Sequence, residues 1–163
     1  MLLAVLVAAS LAAQQSADSV LVVVNGRTTV YHEVDLERLP RDSARISGHG
    51  EAPQWYAGVR LTVILRRAGV PLDTTRGVTV SERLVAIAAD GYRVVFSLGE
   101  LAADLGHTPV LLADRRDGEP LDAAHGPFQL IVPTDSHASR SERQVVALVV
   151  RTEPPEPAPG LPH

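Results

Sequence analysis

There is no cysteine anywhere in the 163 residues. Disulfides, thiolate metal sites, a Cys nucleophile and a lipidated Cys anchor are all excluded in one step. Aromatic residues are nearly as scarce, at 4% against 45% hydrophobic overall, so a core must be built from Val, Leu, Ile and Ala, and the many Val residues favour sheet. A basic excess is missing too. With a net charge of -4 and no basic tract, the chain lacks the clustered cations that nucleic-acid binding requires. No apolar run reaches the roughly 20 residues of a membrane span. The longest opens the chain, Met1 to Ala13 with only Ser10 interrupting, and its length and small flanking residues suit a secretory signal although no positive n-region precedes it. Residues 1–15 are therefore expected to be a removed leader, with the mature chain beginning near Ala13 to Ser16 and exported to the periplasm or beyond. A retained anchor is the rival reading. At the other end, residues 152–163 carry Pro154, Pro155, Pro157, Pro159 and Pro162, which can join neither ladder nor helix and predict a disordered or polyproline-like tail. One domain over residues 18–151 remains, enough chain for a single core.

The stretch Leu84 to Leu101 concentrates the local signals. Leu84 to Ala89 is wholly apolar and predicts a strand buried on both faces. Asp90-Gly91 predicts a two-residue hairpin turn with positive φ at both positions, and Tyr92, Val94 and Phe96 alternate with Arg93, Val95 and Ser97 on the return strand. Ser97 and Glu100 have capping-box spacing, and Leu98, Leu101, Ala102 and Leu105 follow at helical intervals up to Gly106.

Elsewhere, Val20 to Val24 and Arg27 to Tyr31 flank Asn25-Gly26 as a hairpin, and Glu33 to Leu39 makes about two helical turns before Pro40. Ala44 to Ser47 reads as a short strand. Leu61, Ile64, Leu65 and Ala68 lie at helical spacing ahead of Gly69, with Arg66 and Arg67 turned away. Val78 to Val80, Val110 to Ala113, Phe128 to Val132 and Val145 to Val150 read as further strands, and Asp117-Gly118 as a turn. The sum is an α+β fold, mainly β, with seven or eight short strands and two or three short helices.

The landmarks W-Y-A-G-V (Trp55 to Val59), A-x-A-A-D-G-Y (Ala86 to Tyr92), S-L-G-E-L, L-L-A-D-x-x-D-G-E-P-L (Leu111 to Leu121) and G-P-F-Q-L-I-V-P (Gly126 to Pro133), in this order, resemble the molybdopterin-binding domain of the sulfite oxidase family. The resemblance spans residues 20 to 151. It implies a mixed, mainly β fold holding a molybdenum-pterin cofactor in a cleft. Enzymes of that family bind the metal through one Cys ahead of the W-x-G-V run, where this chain has Ser43 to Gly50 with no thiol. The family's Arg in the G-x-P-x-R strand is Gln129 here. Arg140, Ser141 and Arg143 stand where relatives place a phosphate-binding segment.

Six residues are thus candidates for contact with molybdopterin or another small anionic or pterin-like ligand. Arg140, Ser141 and Arg143 would cradle an anion, or form a solvated loop. Tyr92 would line the cleft. Trp55 would stack on a flat ring, or anchor the core. His49, between two glycines, would sit at a pocket mouth, or be a solvated loop residue. Asp135-Ser136-His137 cannot form a triad among adjacent residues, and His32, His107, His125, His137 and His163 show no metal-ligand spacing. No catalytic or metal residue is therefore expected. The sequence favours a non-catalytic module binding a small ligand or a protein partner; the alternative is a molybdenum-cofactor oxidoreductase with a non-Cys metal ligand.

Overall fold

A computed structural model describes residues 18–47, 52–72 and 82–151. The expected leader, the tail, His49 and the strand expected at Val78 to Val80 lie outside those residues. Strands β1 (Ser19–Val24) and β2 (Arg27–His32) form the opening hairpin, followed by helix α1 (Glu33–Glu37), β3 (Arg41–Ile46), β4 (Gln54–Arg60) and helix α2 (Leu61–Arg67). Then come β5 (Arg83–Ala88), β6 (Arg93–Ser97), helix α3 (Leu98–Leu101), β7 (Leu111–Arg116), β8 (Glu119–Pro120), β9 (Gln129–Ile131), a 3₁₀ turn (Ala138–Arg140) and β10 (Val145–Arg151).

Two five-stranded sheets result. The first has the order β2-β1-β10-β5-β6, and the second β3-β4-β7-β8 with β9 also paired to β7. All pairings are antiparallel except β1 with β10, which run parallel with Leu21 beside Ala147. The main core lies between the sheets, where Val20, Val22, Leu84, Phe96 and Leu148 meet Val59, Leu112 and Leu130, with Leu61, Ile64 and Leu65 of α2. Burying Leu and Phe side chains of this kind stabilises by about 1.5 to 3 kcal/mol each. Sheet two is also apolar on its other face, where Ala44, Tyr56, Leu111, Ala113 and Ile131 form a second, smaller cluster.

Several local expectations change. β5 alternates, with Leu84, Ala86 and Ala88 buried and Val85 and Ile87 half-buried, because the first sheet presents only one face to the core. At the β5–β6 turn only Gly91 has positive φ (87°). The Gly91 N–H donates to the Ala88 carbonyl and the Ala88 N–H to the Tyr92 carbonyl, so the loop has three residues, with a β-turn followed by a left-handed glycine. Asn25-Gly26 is a true two-residue case, with φ of 51° and 75°, as is Asp117-Gly118, with φ of 51° and 88°. Tyr92 leaves the inward row of Val94 and Phe96 and is 53% exposed.

Helix α3 stops at Leu101, and Ala102 is extended. The chain folds back there, the Gly106 N–H donating to the Gly99 carbonyl and the Thr108 N–H to the Glu100 carbonyl, which leaves Leu105 exposed. The Ser97 hydroxyl accepts from the Gly99 N–H, and Glu100 turns to another partner described below. β3 begins at Arg41, three residues before its apolar part, since pairing with β4 rather than side-chain hydrophobicity defines it.

Two motif residues prove to be framework. Asp114 is the extra residue of a β-bulge, the register passing from Ala57 opposite Arg115 to Gly58 opposite Ala113. Buried at 4% exposure, its carboxylate takes both prongs of the Arg41 guanidinium at 2.6 and 2.5 Å, tying β3 to β7 across β4. Asp117 accepts the Trp55 N–H at 2.9 Å.

Candidate functional site

Between the second sheet's outer face and the 138–144 segment lies a cleft of about 820 Å³, within the range of small-molecule sites. Its sheet wall is Ile46, Gln54, Tyr56, Arg116, Gln129 and Ile131, and its opposite wall includes Asp90, Tyr92, Ser139, Ser141, Glu142, Arg143 and Gln144. Backbone bonds fix that second wall. The Leu130 N–H donates to the Glu142 carbonyl (2.7 Å), the Ala89 N–H to the Gln144 carbonyl (3.0 Å), and the Gln144 N–H to the His125 carbonyl (2.9 Å). The 142–144 segment is thereby clamped against β9, the β5–β6 turn and the 122–126 loop.

Tyr92, Ser141 and Arg143 reach the cleft, whereas Arg140 and Trp55 are not on its lining. The Tyr92 hydroxyl donates to the Ser139 carbonyl (3.2 Å), and the Ser141 hydroxyl accepts from the Val132 N–H (3.4 Å). Trp55 is 54% exposed, so it is not the core anchor. Arg140 is committed elsewhere. Its Nε and Nη2 fork onto Asp135 (2.7 and 2.6 Å), its Nη1 donates to Glu100 (2.6 Å), and it lies 4.9 Å from the centre of the Phe96 ring. Hydrogen bonds to Asp135 and then Glu100 raise its pKa well above the ordinary guanidinium value. An anion approaching it would have to displace carboxylates. Of the segment's two cations, Arg143 is the one that faces the cleft.

Arg140→Ala should accordingly lower stability by about 2 kcal/mol, the worth of well-formed hydrogen bonds to charged groups. Arg140→Lys should recover only part of this, because an ammonium cannot fork onto Asp135 while reaching Glu100. Urea midpoints of the three proteins test it; an unchanged midpoint in Arg140→Ala would refute the framework role.

The 122–126 loop adds a second set of charges. The Asp122 carboxylate meets the His125 ring (2.7 Å) and Arg116 (2.9 Å), and its pKa is lowered first by His125, then by the Ala124 N–H and Arg116. Arg116 and His125 on the cleft wall are thus already supplied with an anion.

Sequence reasoning missed the polar group that distinguishes this wall. Glu142 is only 4% exposed, and neither carboxylate oxygen has a hydrogen-bond partner among the described residues; Gln129 Oε1 is likewise buried and unpartnered. Burial, reinforced by Asp90 and partly offset by the Ala88 N–H, pushes the Glu142 pKa up to about 7. In the run Ser139-Arg140-Ser141-Glu142-Arg143 an acid between two arginines reads as wet surface. Only the clamp onto β9 buries it.

A two-sheet α+β domain with a polar-walled cleft on its second sheet is the class these features define. The family described as the oxidoreductase molybdopterin binding domain matches residues 12–158, and the chain belongs to that family, as the sulfite-oxidase-type motifs led us to expect. Among solved structures it is similar to the sulfane dehydrogenase SoxCD from Paracoccus pantotrophus, with a TM-score of 0.62 and 20% identity, over 84% of this chain and 39% of that one. At that identity the likeness shows the fold, and the chain spans about two fifths of its relative's length. A search of curated proteins finds no match. No helix among the described residues is long and apolar enough to cross a membrane.

The donors and acceptors on this cleft do not fit a molybdenum-pterin group held through a thiolate. The chain has no thiol, and no cluster of three His, Asp or Glu side chains among the described residues could hold a metal. The unpartnered buried side-chain atoms are acceptors, where a phosphate-bearing cofactor calls for donors.

Proposed function

We propose that this chain is a small-ligand-binding member of its family that carries no molybdenum centre. The observation that carries the reading is a formed cleft whose buried polar atoms, on Glu142 and Gln129, lack partners. An unsatisfied buried acceptor costs about 1 to 3 kcal/mol, and more when charged, a cost that a ligand supplying donors would remove. The missing thiol supports the second half of the proposal, because neither the hydroxyls nor the carboxylates of this wall match a soft sulfur donor.

Metal analysis and native mass spectrometry of protein purified from its own host test both halves together. The expected result is molybdenum far below one per chain with a bound small molecule. Molybdenum near one per chain would overturn the reading in favour of an oxidoreductase using a non-Cys ligand. A chain free of both metal and small molecule would overturn it in favour of a partner-binding domain.

A further inference from the structure

The charges on the cleft wall do not cancel evenly. Arg116 and His125 share Asp122, and Arg140 is spent on Asp135 and Glu100 outside the lining. What faces the cleft without a described partner is one cation, Arg143, on an exposed side chain, and a buried carboxylate, Glu142, with Asp90 nearby and the carbonyl of Gln129 on the facing strand. Both carboxylate oxygens are buried and lack a described hydrogen-bond partner, so a donor group that reached them past the cleft wall would meet two parallel acceptors in one plane. Two parallel N–H donors on one carbon match that pair, in the same forked geometry that arginine uses toward carboxylates.

We propose that the cleft selects a ligand carrying an amidine-type edge, two parallel N–H donors on one carbon, and that the Glu142 carboxylate receives it. This rests on the small-ligand reading above and names the chemistry of the ligand. An anion placed at Glu142 would meet acceptors only. A neutral amide edge, one donor beside one acceptor, would satisfy one oxygen and oppose the other.

The acceptor pair is complete only when Glu142 is ionised. The titratable and charged groups lining the cleft are Asp90, Tyr92, Arg116, His125, Glu142 and Arg143. With the Glu142 pKa near 7, the ionised fraction rises about tenfold between pH 6 and pH 8. His125 lines the same cleft, so the Glu142→Gln variant must separate its contribution from that of Glu142.

The test is calorimetric titration of the full chain with benzamidine, which stays cationic throughout, with its isostere benzamide, and with inorganic phosphate. Wild type should bind benzamidine about tenfold more tightly at pH 8 than at pH 6, and benzamide at least tenfold more weakly than benzamidine at pH 8. Glu142→Gln should weaken benzamidine at least tenfold at pH 8 and abolish the pH dependence, with thermal melts confirming that the variant is folded. Should that variant not fold, the pH dependence and the benzamide comparison on wild type still decide. Equal affinities for benzamidine and benzamide, pH dependence surviving in Glu142→Gln, or no benzamidine binding at millimolar concentration would each overturn the inference. Phosphate binding that is lost in Arg143→Ala but indifferent to Glu142→Gln would overturn it too, while leaving the small-ligand reading intact.

Discussion

Stability should fall as pH rises from about 5 to about 7.5, and Glu142→Gln should flatten that fall. The unfolded chain releases the Glu142 proton near its ordinary value of 4.5, whereas the folded chain holds it to about 7. Between those values folding takes up a proton, so each step upward in pH favours the unfolded state, and above the folded value the loss is complete. A gap of roughly two and a half pH units corresponds to about 3 kcal/mol, at about 1.4 kcal/mol per unit. That is a large share of a domain's usual net stability of about 5 to 15 kcal/mol. The physical source is a buried carboxylate that sheds its hydration without gaining a full hydrogen bond, the nearby Ala88 N–H offsetting the cost only in part. Glu142→Gln keeps the shape and removes the ionisation, so the two proteins should be similarly stable at pH 5 and differ by about 2 to 3 kcal/mol at pH 8, the variant being the more stable. Urea melts across this range give the difference directly, with the remaining groups common to both. Parallel profiles would mean that Glu142 is solvated or paired in solution.

Gly58→Ala is expected to be the most damaging single substitution in the second sheet. A Cβ at Gly58 would lie 2.1 Å from the Leu112 carbonyl oxygen and 2.6 Å from the Ala113 Cα. Both obstacles are backbone, so relief requires β4 and β7 to part. That pairing supports the main core through Val59 and Leu112 and the second cluster through Tyr56, Leu111 and Ala113. Overpacking a core usually costs about 1 to 3 kcal/mol, and with no side chain able to yield, a loss at or above the top of that range is expected. Gly91→Ala provides the contrast, since its Cβ meets nothing within 4 Å and only the φ of 87° opposes it, at about 1 to 2 kcal/mol. Chemical denaturation of both variants checks the order. A Gly58→Ala protein as stable as Gly91→Ala would show that the sheet accommodates the methyl by sliding.

The strands most legible in the sequence are those with apolar runs at the centre of the first sheet, β1, β5 and β10, although the run of β5 reads as buried on both faces and only Leu84, Ala86 and Ala88 are buried. β3 was read short, since Arg41, Asp42 and Ser43 are strand by virtue of their pairing with β4 and of the Arg41–Asp114 fork. Helix α3 was read long, because Leu105 has helical spacing but the chain is drawn back onto Gly99 and Glu100. At the cleft, the family motifs single out residues 140 to 143, of which Ser141 and Arg143 line the cleft while Arg140 is bound to Asp135 and Glu100. Arg140 looked free because Asp135 is five positions away and Glu100 is forty, and nothing local announces that the three converge. Glu142 looked exposed for the same reason. A side chain's type is in the sequence, but its partner is set by elements distant along the chain.

The parallel pairing of β1 with β10 governs the order in which the molecule can be completed. Among the described residues β10 alone bridges the β1–β2 hairpin and the β5–β6 hairpin, so the two halves of the first sheet join only through residues 145 to 151. Until those residues are available, the inward rows of Val20 and Val22 and of Leu84 and Ala86 are not joined in one sheet. Assembly must therefore close a loop of nearly the whole domain in its decisive step, the kind of topology that folds in milliseconds to seconds rather than microseconds. During synthesis the β1–β2 and β5–β6 hairpins cannot be joined in one sheet until residues 145 to 151 have emerged.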